Sequence, residues 1–116
     1  MTNLLSSKPS PQETGATLMW RHGDIMVAAV PALPEGAFLL PSRVLVYGQA
    51  TGHSHRIEDP GTADLYERNG VRYVHVHARE ARLIHEEHRT IVLPQGVYRF
   101  WHQREYTPNA IVRVVD

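Results

Sequence analysis

Eight histidines fall within 116 residues, and six of them come in close pairs. His53 and His55 stand in "GHSHR", His75 and His77 in "VHVHA", and His85 and His88 in "HEEH". Side chains at i and i+2 of a β-strand point to one face. Their Cβ atoms lie about 6.6 Å apart, twice the strand rise. Two imidazoles can lean together from that distance onto one cation, at about 2.0–2.1 Å from each nitrogen. His53 and His55 therefore fit as two metal ligands. The "HEEH" stretch offers the third through His85, with His88 as its close alternative. His102 lies on the last long strand and His22 in a predicted turn. There is no cysteine, so the donors are nitrogen and oxygen only. Such a set suits Zn, Ni, Mn or Fe, and a divalent metal ion is the expected cofactor.

A metal so held would act as Lewis acid or water activator, with Glu87 or Glu58 as base. It would equally serve to hold strands together. The stretch "VYRFWHQREY" (97–106) splits by parity. Tyr98, Phe100, His102, Arg104 and Tyr106 share one face. If that face points into a barrel, the first two fill the core, and His102, Arg104 and Tyr106 line a pocket at one mouth. Arg104 is then the anion clamp; paired with a carboxylate instead, it is only part of a half-buried face. In "VRYVHVHA", Val74, Val76 and Ala78 form the apolar face, which sends His75 and His77 to the exposed one.

Two other functions remain open. Paired histidines can act as acid and base on a phosphodiester or RNA without metal, with Arg56 and Arg104 holding the phosphate. Such enzymes usually carry Thr or Ser two residues after each histidine, and here that place after His53 is His55. A non-catalytic protein could instead pair its strand edges with another chain, including a second copy of itself.

The formal net charge is zero, which argues against strong non-specific binding to nucleic acid or anionic membranes. A small-molecule or phosphate-containing ligand is the expected partner. No apolar run approaches the roughly 20 residues of a membrane span. The opening "MTNLLSSKPSPQETG" lacks the form of a signal peptide, and cytoplasm is the expected compartment.

These residues need elements to position them. Residues 1–14 read as a flexible tail and 15–116 as a single β domain. "ATLMW", a turn at "RHGD" and "IMVAAV" read as a hairpin. "RVLVYGQA" (43–50) is strand-like, and Asp59, Pro60 and Gly61 carry turn chemistry. Asn69-Gly70 suits a two-residue hairpin turn, with strands near 63–67 and 71–78. "ARLIHEEHRTIVLP" reads as a strand broken near Glu87–Arg89, and "PQG" (94–96) as a turn. "AIVRVVD" closes the chain. No segment keeps helical periodicity for three turns. The fold class is all-β, a small single-domain barrel or sandwich.

"GHSHR", "HEEH" and the closing "QREYTP" resemble a small bacterial family of uncharacterised proteins with GHxHR, HExH and QREYxP stretches. The likeness covers roughly residues 40–116 and implies a site on His53, His55, Arg56, His85, Glu87, His88, Gln103, Arg104, Glu105 and Tyr106. A looser likeness is to the cupins, which implies a metal-holding barrel. Gly48, His53, His55 and Glu58 look like the first cupin motif, with Glu58 one residue early. Pro94 and Gly96 look like the second, with Arg99 where its histidine would stand.

Overall fold

A computed structural model describes residues 17–47, 52–103 and 112–115. Among the described residues nine strands follow one another: β1 (Thr17–His22), β2 (Ile25–Val30), β3 (Phe38–Leu40), β4 (Val44–Tyr47) and β5 (Ser54–Ile57), then β6 (Ala63–Arg68), β7 (Val71–His85), β8 (His88–His102) and β9 (Val112–Val115). They form one sheet in the order β9-β1-β2-β8-β7-β5-β4, with β6 also on β7 and β3 on β6. Among the described residues all pairings are antiparallel except β9 on β1. Among the described residues no helix is long and apolar enough to cross a membrane.

The Asn69-Gly70 hairpin forms as expected. Both residues take positive φ, 52° and 79°, as that turn requires. The strand after it runs further than expected, to His85. "PQG" is not a turn. Pro94, Gln95 and Gly96 lie inside β8, opposite an irregularity in β7 between Val76 and Glu80. Two extra β7 residues bulge there, and Pro94, opposite Glu80, stands at the edge of the irregularity, where its missing N–H disturbs the ladder least. The Tyr98 hydroxyl donates to the Pro94 carbonyl at 2.6 Å and fixes the bend. The short strand β3 has no counterpart in the sequence reading.

The bulge has three consequences. It flips parity along the hairpin: Val74 and Val76 are buried before it on β7, and Ala81 and Leu83 after it. It also divides the β7 edge, so that β6 pairs with the first half (Ala63↔Val76) and β5 with the second (Ile57↔Leu83). Finally, it lets the sheet curl. His88 and His102 are 14 residues apart on β8, about 46 Å if straight. Both nevertheless line one pocket. The curl makes a half-barrel around a core that includes Trp20, Ile25, Leu45, Ile57, Leu65, Leu83, Leu93 and Phe100. Trp20 and Tyr98 meet edge-to-face within it at 5.5 Å.

Candidate metal centre

Two hairpin turns and the start of β5 converge where the curl brings the hairpin tips together. Strand β5 carries His55 inward beside Ile57, both buried. The tip of the β7–β8 hairpin, at Glu86–Glu87, presents His85 and His88 on either side. The β1–β2 turn lies against this tip. A Cβ on Gly23 would stand 2.6 Å from His88 Nε2 and displace that ring, and the φ of 65° itself favours glycine.

His55, His85 and His88 each offer a nitrogen, and these all lie within 4.8 Å of one another. Ring centroids are 4.4 Å apart for His55–His85 and 4.6 Å for His85–His88. His53, just before β5, forms a second such group with His85 and Glu86. The expected ligands thus divide into two overlapping triads sharing His85. The second is weaker because Glu86 is already engaged. Its carboxylate accepts from the Ser54 backbone N–H at 3.1 Å and pairs with Arg56 at 2.8 Å. Its own backbone N–H first, then the Ser54 N–H and Arg56, hold the carboxylate pKa below its usual range. Glu86 is thus a strap fixing β5 to the hairpin tip.

His22 was placed in a turn by its sequence. It instead ends β1, 1% exposed, with Nδ1 2.9 Å from His55 Nδ1. The signal was parity: Trp20 and His22 share the face that fills the core. Burial, with His88 next, lowers the His22 pKa from 6.5 to about 4. Burial, with His22 next, does the same to His55, where Asp24 opposes the shift. His85 is lowered too, by burial and then by His88. The Arg89 backbone favours the charged His22 ring, yet Nε2 meets no partner at hydrogen-bonding geometry. Both buried rings are neutral near pH 7, the form a metal needs.

The pocket above them has a volume of about 510 Å³. Asp24 stands at its rim, 3.7 Å from His55 Nε2 and 3.4 Å from His102 Nδ1. Its sequence position suggested only a turn. Glu87 is at the mouth, mostly exposed, 3.8 Å from His53 Nδ1. Glu58 is elsewhere, paired with Arg82 at 3.0 Å. Arg104 and Tyr106, expected as clamp and pocket residue, lie outside the described residues. His75 and His77 lie on the outer face of β7, apart from the pocket, with His77 3.4 Å from Asp64.

One bond opposes ligation. The Glu87 backbone N–H donates to His85 Nδ1 at 3.0 Å. Nε2 therefore carries the proton of the neutral ring. Ligation by either nitrogen requires this hydrogen bond to be given up, at about 1 kcal/mol.

Among family models, Domain of unknown function (DUF8820) matches residues 21–103. That span holds all the histidines described above but stops at Gln103, so most of "QREYTP" falls beyond it. No curated protein and no solved structure gives a significant match. The cupin likeness therefore stands on motif spacing alone.

Proposed function

We propose that this chain, which belongs to the DUF8820 family, binds one divalent metal ion through His55, His85 and His88. The observation that carries this reading is the convergence of three histidine nitrogens within 4.8 Å in the lining of one pocket. Three imidazoles without sulfur fit Zn, Ni, Mn or Fe. Asp24, with an oxygen 3.7 Å from His55 Nε2, is a carboxylate available as a fourth donor.

Three protein ligands and an open pocket favour a working centre over a closed structural one. Bound there, the metal would polarise a ligand oxygen or activate water. With His55 ligating through Nε2, its Nδ1–H would donate to His22 Nδ1, 2.9 Å away, and hold the ring in that tautomer. Glu87, at the mouth beside His53, is positioned to take a proton from an incoming group.

The metal-free phosphodiester reading loses support at Arg56. Its guanidinium is engaged by Glu86 and by the Ser54 carbonyl and hydroxyl. The lowered pKa of His55 also suits a ligand better than a general acid at neutral pH.

Cobalt(II) titration tests the proposal. Visible d–d bands should saturate at one equivalent and disappear in His85→Ala. A titration with no such bands would contradict it.

A further inference from the structure

A second cavity, of about 560 Å³, adjoins the histidine pocket. The two share Val46, Tyr47 and His102 as common walls. Val44, Val71 and Phe100 line the second cavity alone. Adjoining along these residues, the two give a cleft whose first end carries His55, His85 and His88 and whose second carries Val44, Val71 and Phe100 beside Arg72 and Arg99. We propose that the cleft binds a small organic molecule with a metal-coordinating oxygen head and an uncharged apolar body, the body lying along Val44, Val71 and Phe100. The proposal rests on the metal reading above.

Size is the first support. Ligand pockets usually measure about 300–1,000 Å³ and are mostly apolar, with a few polar groups to orient the ligand. The second is the position of His102, at the junction of the two cavities. Its Nδ1 is buried and, among the described residues, makes no hydrogen bond of good geometry, although Asp24 lies 3.4 Å away. A donor or acceptor at the neck of a bound molecule would satisfy it.

Charge excludes the obvious alternative. Two arginines line the apolar cavity and invite an anionic body. Arg72, however, donates to the Leu45 carbonyl at 3.2 Å and lies 3.5 Å from Glu67. The Arg99 guanidinium stacks 5.0 Å from the centre of the Trp101 ring. Both have partners already, so an uncharged body fits better than a second carboxylate.

The test uses the full chain loaded with metal and two probes, acetohydroxamate and benzohydroxamate. They share the chelating head and differ in the ring. Titration calorimetry should show benzohydroxamate binding at least tenfold tighter. Val44→Glu and Val71→Glu, on different strands, should each abolish that ratio while leaving acetohydroxamate affinity unchanged. Retained acetohydroxamate binding also shows that each variant is folded. Equal affinity for both probes in the unsubstituted protein overturns the apolar end alone. So does a ratio that persists in both variants. If neither probe binds because no metal is taken up, the metal reading fails and this proposal with it.

Discussion

Nδ1 of His22 and Nδ1 of His55 face each other at 2.9 Å, both rings almost wholly buried. Two ring nitrogens at that distance share one proton. When His55 ligates through Nε2, its Nδ1 must carry the proton and His22 must accept it. A buried histidine thereby sets the tautomer of a ligand it does not accompany to the metal.

His22→Leu should therefore weaken metal binding by about 10–100-fold, the usual effect of losing a partner behind a ligand. Competition against a chromophoric chelator measures this. Unchanged affinity would reduce His22 to a packing residue.

The pair also predicts acid sensitivity. Both rings have pKa values of about 4 in the fold, against about 6.5 in the unfolded chain. Between these values the unfolded chain holds more protons, so stability rises with pH. The contribution is complete above about 6.5 and lost as pH falls towards 4. For a coupled pair the loss is on the order of a few kcal/mol. Urea midpoints of metal-free protein should fall between pH 7.5 and 5, and the fall should flatten in the double variant His22→Leu, His55→Leu. A pH-independent midpoint would contradict the buried neutral pair.

Gly23 supports the site from the β1–β2 turn. Gly23→Ala should cost about 1–2 kcal/mol from its positive φ alone. The new Cβ also pushes into His88. Metal affinity should therefore fall even at temperatures where the variant is fully folded. A loss of stability with metal affinity intact would show that His88 is not a ligand.

Substitutions should also rank the histidines. His55→Ala and His85→Ala should lose the most bound metal, His53→Ala less, and His75→Ala none. Metal analysis of purified variants reads the order. Equal loss at His53 and His75 would remove it.

Several of these residues were legible in the sequence and several were not. The Asn69-Gly70 hairpin was, because its turn chemistry is local. The meeting of His55 with His85 was, from residue type in "GHSH" and "HEEH", whereas the strand spacing that joined His53 to His55 was misleading, since the two fall in separate groups. His22 was hidden by the adjacent "GD", which reads as a turn although the strand continues through His22. Asp24 was hidden for the same reason. The pocket depends on the curl of β8, which brings His102 to the same cavity as His88. That curl arises from a bulge opposite Gln95, and a bulge arises from how two strands pair. "PQG" showed only that the chain was irregular there.

The most direct measurement is the metal content and thermal midpoint of protein purified without an affinity tag. After loading and removal of excess ion, one divalent metal per chain should remain. A chelator should then lower the midpoint by several degrees at pH 7.5, since ligand held at a hundredfold excess over Kd stabilises a fold by about 2.7 kcal/mol. At pH 5.5 protons compete for the histidines and the chelator effect should shrink. Retained metal that also survives the combined replacement of His55, His85 and His88 by alanine, or no retained metal and no chelator effect at pH 7.5, would contradict the metal centre.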